Sequence, residues 1–186
     1  MGRVEVRLAG EGGQGLILAG VILAEAAAVY DNLQVTQTQS YGPEARGGAS
    51  KSEVVIGDEE IDYPKVIEAD VLLAMSQEAC DRYAASLKRE GTLIVDSVLV
   101  PRLPLDRKAV QVPIAELAEQ ATGKRITANV VALGVLVGLT GVVSRPAIEA
   151  AVRARAPRGT EEANRQALAA GLQWADGYLA GEDGCQ

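Results

Sequence analysis

Two short apolar runs restrict most strongly how this chain can fold. Residues 71–75 read Val-Leu-Leu-Ala-Met, and residues 92–96 read Thr-Leu-Ile-Val-Asp. Uninterrupted apolar runs of this length are typical of strands that are buried on both faces. Such strands need helices on both sides of their sheet. The two runs therefore predict an α/β fold with a largely parallel sheet.

The remaining pattern adds strands and helices in alternation and then helices alone. We predict further strands at residues 4–9, 33–38, 50–56 and 109–114, with a short partner of the third strand around Ile61. Helices are predicted at residues 15–30, 77–89, 115–122, 127–139, 145–154 and 160–179. The expected fold is Rossmann-like, with a largely parallel sheet flanked by helices and an extra helical C-terminal layer. We expect one domain over residues 1–180 and a disordered tail over residues 181–186.

Residue counts exclude several kinds of reactive centre. The chain has no histidine, so neither a Ser-His-Asp triad nor an imidazole metal site is available. Its two cysteines cannot supply the four thiolates of an iron–sulfur cluster or of a Cys-only zinc site. We therefore expect no metal site and no redox centre held by this chain alone.

Charge and hydropathy limit the partners. The net charge of −7 argues against a protein that follows a nucleic-acid backbone. The longest apolar stretch, residues 130–143, is interrupted by Gly134, Gly138 and Gly141 and is shorter than the ~20 residues of a membrane span. The N-terminus has no pattern of a signal peptide. We expect a cytoplasmic protein without nucleic-acid or membrane partners.

The segment Gly-Glu-Gly-Gly-Gln-Gly at residues 10–15 is the most informative motif. It matches G-x-G-x-x-G between a predicted strand and a predicted helix, which is the context of phosphate-binding loops. Backbone at Gly10, Gly12, Gly13 and Gly15 can approach an anion closely, and a helix N-terminus offers free N–H groups. The alternative is a glycine turn that only lets the strand and the helix pack together.

The nicotinamide version of this motif is disfavoured. It needs a ribose-binding Asp or Glu at the end of the second strand, about 20 residues beyond the motif. The second predicted strand ends in Val-Thr-Gln-Thr-Gln at residues 35–39, without an acid. We therefore do not expect NAD.

A second glycine-rich segment covers residues 40–48. Arg46 precedes Gly47 and Gly48. A guanidinium offers a bidentate fork to anions, and glycines keep the neighbouring backbone accessible, so these residues form a candidate anion clamp beside the first loop. The alternative is a surface ion pair between Arg46 and Glu44.

Four further residues have a polar or thiol group in a notable place. Ser76 follows a buried strand, where helix capping is favoured over a ligand contact. Asn129 lies early in an apolar helix, where an unpartnered amide is costly, so it is expected to bond a neighbouring loop or face a partner. We interpret Asp96 as a turn or cap residue and Cys80 as a packed hydrophobe.

Four segments together resemble a known family. Residues 10–20, 38–48, 74–79 and 128–134 are similar, in this order, to the gamma subunits of 2-oxoacid:ferredoxin oxidoreductases, the family acting on pyruvate, ketoisovalerate and 2-oxoglutarate. The similarity covers almost the whole chain, and the amino-acid sequence of the four segments is most similar to that of the 2-oxoglutarate type.

The resemblance implies a subunit of an oxidoreductase that is inactive alone. Such enzymes convert a 2-oxoacid and coenzyme A into acyl-CoA, CO2 and reduced ferredoxin. Thiamine diphosphate lies between alpha and beta subunits, and iron–sulfur clusters lie on beta or on a delta-type subunit. The resemblance implies that this subunit is associated with coenzyme A access and with assembly, which makes coenzyme A a candidate ligand, and it implies no catalytic residue here. Two alternatives stay open, namely a purely structural assembly subunit and a stand-alone nucleotide-binding enzyme.

Overall fold

A computed structural model describes residues 2–40 and 49–181. The strands are β1 (Val4–Glu11), β2 (Gln34–Ser40), β3 (Ala49–Gly57), β4 (Ala69–Ala74), β5 (Leu87–Asp96) and β6 (Ala109–Val112). The α-helices are α1 (Leu16–Glu25), α2 (Gln77–Tyr83), α3 (Ile114–Thr122), α4 (Ala128–Thr140), α5 (Arg145–Arg155) and α6 (Glu161–Ala180). One π-helical turn, Ala26–Tyr30, continues α1, and two 3₁₀ turns cover Ala84–Ser86 and Arg125–Thr127.

The strands form one six-stranded sheet in the order β2-β3-β1-β4-β5-β6. β1, β4, β5 and β6 are parallel neighbours, whereas β3 runs antiparallel to both β1 and β2. Five strands therefore share one direction, which confirms the prediction of a largely parallel sheet. The two apolar runs form β4 and the last half of β5, and both are central strands with buried side chains.

The alternation of side chains along each strand divides the core in two. Val6 and Leu8 of β1 face the larger core, which lies between the sheet and the helices α1, α3, α4, α5 and α6. Ala9 of β1 faces the smaller core, which is closed by α2 and the segments around Val66 and Val100. The sheet is thus covered on both faces, as the apolar runs require.

The predicted C-terminal layer is present. Helix α4 is buried from Asn129 to Val137, because α6 packs along its outer side. Two glycines bring these helices together. A Cβ at Gly134 would lie 2.5 Å from the carbonyl oxygen of Leu168, and a Cβ at Gly171 would overlap the carbonyl oxygen of Val131. Within the described ranges, no helix is long and apolar enough to cross a membrane.

Two predicted elements are wrong. The helix predicted at residues 77–89 ends at Tyr83, and β5 already begins at Leu87, because Leu87 is buried against the smaller core and pairs with Ala69. The short strand expected around Ile61 does not form, since residues 58–68 contain no strand. Side chains of β1 hold that segment instead: Glu5 accepts a hydrogen bond from the Ile67 N–H, at 2.8 Å.

Candidate functional site

The glycine loop lies at the edge of the sheet where the parallel strands end. β1 ends at Glu11 and β4 at Ala74, and the N–H of Met75 donates to the carbonyl oxygen of Ala9 at 2.9 Å. The carboxyl ends of parallel strands are the usual place for ligands in α/β folds. Ser76 and Asp96 follow β4 and close β5 at this same edge.

Gln14 fixes the shape of the loop. Its Oε1 accepts from the N–H of Glu11, and its Nε2 donates to the carbonyl oxygen of Met75, both at 2.8 Å. The side chain therefore fastens the loop to itself and to the end of β4. The motif alone does not distinguish Gln14, although it is the one residue between the glycines whose side chain both donates and accepts.

The glycines of the motif have different roles. Gly10 is buried inside β1, and a Cβ there would overlap the side chains of Gln14 and Leu16, so it allows close packing. Gly12 is exposed in the turn. Gly13 has φ +96°, and a Cβ there would meet no heavy atom within 4 Å. Gly13 thus leaves its backbone open to an approaching group.

Gly15 joins the loop to two helices. It has φ +75° and is the N-cap of α1, and a Cβ there would lie 2.6 Å from Nδ2 of Asn129. That nitrogen donates to the Gly15 carbonyl oxygen at 3.2 Å. Asn129 is buried in the first turn of α4. Of the two roles expected for its amide, the structure thus gives it the bond to a neighbouring loop.

The N-terminus of α1 is suited to an anion. No side chain in the described part of the chain caps it, and its first turn contains no acidic residue. The N–H groups of the first helical residues have no acceptor within the helix, and the helix dipole makes this end positive. By contrast, α2 and α5 are capped by Ser76 and Ser144.

The other polar residues of this edge have structural partners. Ser76 caps α2, as predicted, because its Oγ accepts from the N–H of Ala79 at 3.2 Å. Asp96 is also a cap: Oδ1 accepts from the N–H groups of Val98 and Leu99, and Oδ2 accepts from that of Ala115.

Cys80 is the packed hydrophobe that the sequence suggested. It is fully buried in the smaller core, and this burial, together with the nearby charge of Asp81, raises the pKa of its thiol. Among the described residues, no group of three or more Asp, Glu or Cys side chains could hold a metal ion.

Arg46, Gly47 and Gly48 lie outside the described residues. Ser40 is opposite Lys51 and Glu11 is opposite Ala49, so the strand ends on either side of this segment belong to the site edge.

The described part of the site offers backbone donors and a positive helix end. Gly12, Gly13 and the first turn of α1 provide N–H groups, and Gln14 and Asn129 hold them in place. Such an arrangement binds and orients an anionic group.

Comparisons with known proteins agree with one another. Residues 5–174 match the family described as pyruvate ferredoxin/flavodoxin oxidoreductase. The 2-oxoglutarate synthase subunit KorC of Methanocaldococcus jannaschii is 51% identical over 174 residues, covering 92% of this chain and 93% of that protein. The ketoisovalerate oxidoreductase subunit VorA of Methanothermobacter thermautotrophicus is 36% identical, and the match covers 96% of this chain but 38% of VorA.

A solved structure has the same fold along nearly its whole length. The gamma subunit of a keto/oxoacid ferredoxin oxidoreductase from Geobacter sulfurreducens PCA superposes with a TM-score of 0.87 at 52% identity. The match covers 97% of this chain and 98% of that one. The predicted α/β fold is therefore confirmed.

Proposed function

The chain belongs to the pyruvate ferredoxin/flavodoxin oxidoreductase family, and on this premise we propose that it is the gamma subunit of a 2-oxoglutarate:ferredoxin oxidoreductase. The enzyme would convert 2-oxoglutarate and coenzyme A into succinyl-CoA and CO2, with ferredoxin as the electron acceptor. The observation that supports 2-oxoglutarate as the substrate is the 51% identity to KorC along more than nine tenths of both chains.

The role proposed for this chain is to receive coenzyme A. The pyrophosphate would lie against Gly12, Gly13 and the first turn of α1, where backbone N–H groups and the helix dipole favour negative charge. The residues fit such a group because Gly13 has no side chain, and no other atom lies within 4 Å of the place where a Cβ would be. Gly10, Gly15, Ser76 and Asn129 would shape this site rather than contact the ligand through side chains. Arg46, with Gly47 and Gly48, is proposed to clamp a phosphate of the same ligand.

The reactive chemistry is assigned to other subunits. Alpha and beta subunits would hold thiamine diphosphate for the decarboxylation chemistry, and beta or a delta-type subunit would hold iron–sulfur clusters for electron transfer to ferredoxin. This division suits a chain without histidine and with only two cysteines. Its own residues bind and orient the acyl acceptor.

The second candidate is a gamma subunit that only holds the complex together. It is favoured by the packing role of Gly10 and the bond between Asn129 and Gly15, since both are explained without a ligand. In that case a change in the glycine loop lowers the yield of the complex but leaves the affinity for coenzyme A unchanged.

A pair of matched glycine variants separates the two candidates. Gly13→Ala places a methyl group in the open space of the loop, and Gly141→Ala does the same at the end of α4, where φ is +61° and no atom lies within 4 Å. Both substitutions put a Cβ on a residue of positive φ, and Gly141 lies about 18 Å from Asn129 along α4. We expect Gly13→Ala to raise the Michaelis constant for coenzyme A about tenfold in the assembled enzyme. Gly141→Ala should leave it unchanged.

Arg46→Ala tests the second half of the proposed site. The loss of a charge-assisted contact to phosphate should also raise the Michaelis constant for coenzyme A about tenfold, with little change for 2-oxoglutarate. If coenzyme A kinetics stay at the wild-type level in both Gly13→Ala and Arg46→Ala, the chain is a structural subunit.

A further inference from the structure

We propose that Gln14 is a positioning residue for coenzyme A. Its side chain decides which backbone N–H groups of the glycine loop stay free for the anion, and it sets the affinity for coenzyme A through that backbone. The inference rests on the proposed function, because it takes the glycine loop to be the coenzyme A site. It gives a role to the one residue of the segment 12–15 that is not a glycine.

The loop depends on one side chain to hold its conformation. Residues 12–15 read Gly-Gly-Gln-Gly, and glycine loses more conformational freedom on ordering than any other residue. Gly12 and Gly13 are exposed, whereas the side chain of Gln14 is partly buried. A loop that is ordered before its ligand arrives binds more tightly, because the cost of ordering is not incurred on binding. Gln14 is placed to supply that order.

The Gln14 residue sorts the N–H groups of the loop into occupied and free ones. Its Oε1 accepts from the N–H of Glu11 at 2.8 Å, and its own N–H donates to the Glu11 carbonyl oxygen at 3.3 Å. These two N–H groups are therefore withheld from a ligand. The N–H groups of Gly12 and Gly13 have no acceptor in the described part of the chain, so they are the ones left for an anion.

A second bond fastens the loop to the sheet. Nε2 of Gln14 donates to the carbonyl oxygen of Met75, just after β4, at 2.8 Å. Gly10 of β1 makes the space for this amide, because a Cβ there would overlap Oε1 of Gln14. The first glycine of the motif and the glutamine thus act together, and they tie the loop to two neighbouring strands.

These contacts indicate how Gln14 affects the ligand. Both heteroatoms of its amide are engaged by the main chain, so its effect on an anion passes through Gly12 and Gly13. Loss of the amide should weaken the binding of coenzyme A and leave the steps that involve 2-oxoglutarate unchanged.

Gln14→Met tests this role, with Gln77→Met as the matched control. Methionine has a similar length but no amide. The Gln77 amide also bridges a backbone N–H and a carbonyl oxygen, both of Arg102 and both at 3.0 Å. Calorimetric titration of the assembled enzyme with coenzyme A, without 2-oxoglutarate, measures the affinity.

We expect Gln14→Met to raise the dissociation constant and the Michaelis constant for coenzyme A about tenfold, with kcat within about twofold of wild type. Gln77→Met should leave both constants within about twofold. A wild-type dissociation constant for Gln14→Met, or equal effects of the two variants, would overturn the inference.

A double-mutant cycle with Gly13→Ala separates positioning from direct contact. If Gln14 acts through the loop backbone, the Gln14→Met, Gly13→Ala double variant should bind coenzyme A about as weakly as the weaker single variant. Independent contacts would add to about a hundredfold loss and would overturn the positioning role. An effect of Gly13→Ala without one of Gln14→Met overturns this inference alone. Wild-type affinity in both variants contradicts the proposed coenzyme A site as well.

Hydrogen exchange resolved to single residues tests the unmodified enzyme, and it decides the inference even where Gln14→Met does not enter the complex. The Glu11 amide should exchange slowly with and without coenzyme A, because Gln14 holds it. The Gly12 and Gly13 amides should exchange rapidly in the free enzyme and at least about tenfold more slowly with coenzyme A bound. A Glu11 amide that exchanges as fast as that of Gly13 in the free enzyme would overturn the inference.

Discussion

Asn129 and Gly15 are 114 residues apart, yet their contact determines how the glycine loop meets both helices. The amide nitrogen occupies the space that a Cβ at position 15 would need, so the backbone conformation and the packing both select glycine there. Gly13 has the same sign of φ but no neighbour. Both positions have a positive φ, and they differ in how closely other residues pack against them.

Gly15→Ala should consequently be more destabilising than Gly13→Ala. We expect Gly13→Ala to lower the free energy of unfolding by about 1–2 kcal/mol, which is the cost of a left-handed residue with a Cβ. Gly15→Ala should lower it by a further ~1–3 kcal/mol, because Asn129 must move. Urea unfolding of the two variants measures the difference. Equal values for both would show that the contact with Asn129 is not tight.

The Cys80 thiol should be unreactive in the native chain. Burial and the charge of Asp81 raise its pKa, so less thiolate is present at pH 8 than in an unperturbed thiol, and the side chain is also shielded. A Cys185→Ser variant leaves Cys80 as the single thiol. In this variant, a thiol reagent should label Cys80 at least about tenfold more slowly in the native state than in urea, because the folded chain shields the thiol. Labelling at similar rates in both states would contradict the observed burial.

Sequence reasoning at the residue scale works where the cause is local. Ser76 as a cap and Cys80 as a core residue follow from their own neighbourhoods. The role of Gln14 could not be predicted, because its amide bonds Met75, which is 61 residues away. The sequence predicts two possible roles for the Asn129 amide, and a bond to a neighbouring loop is one of them. It does not show which loop lies beside Asn129, so the bond to Gly15 itself is not predicted.

At the scale of elements, the segment 77–91 shows the limit of local pattern. Residues 87–91 read Leu-Lys-Arg-Glu-Gly, which suits the polar end of a helix as well as a strand. The structure resolves the ambiguity by tertiary contacts, because Leu87 pairs with Ala69 and Lys88 forms an ion pair with Asp70 of β4. The buried strands are predicted without knowledge of tertiary contacts, because a short apolar run bounded by polar residues has few alternative secondary structures.

The contact between α4 and α6 allows a test in which packing and helix propensity have opposite signs. By propensity, Gly171→Ala inside α6 should stabilise the chain by about 1 kcal/mol. Because the added Cβ would overlap the backbone of Val131, we expect destabilisation by about 2 kcal/mol instead.

Thermal and urea unfolding measure the effect. Ala169→Gly, at an exposed site of the same helix, serves as a control that reports propensity alone and should cost about 1 kcal/mol. A Gly171→Ala variant more stable than wild type would contradict the close approach of the two helices.

For the whole molecule, composition and pattern gave the fold class, but not the order of the strands. Neither the insertion of β3 between β2 and β1 nor its antiparallel direction has a signal in the sequence of those strands. Strand order depends on pairings between distant residues, which one sequence does not display. That order nevertheless shapes the function proposed here, because it brings the ends of β1, β2 and β4 to one edge and leaves β2 at the margin.

The same arrangement suits the binding role proposed for this chain. One edge presents backbone donors that suit an anion, and the core is built from aliphatic side chains and close helix contacts. These features suit the role proposed for the chain, which is to bind coenzyme A within a complex whose other subunits would supply the redox chemistry.

The central claim is most directly tested by isolating the native complex through an affinity tag on this chain and assaying ferredoxin reduction. We predict that larger subunits co-purify in fixed proportion and that the preparation reduces ferredoxin only when 2-oxoglutarate and coenzyme A are both supplied. The claim is contradicted if the tagged chain is recovered alone while the 2-oxoglutarate:ferredoxin activity of the cells stays in fractions that lack it.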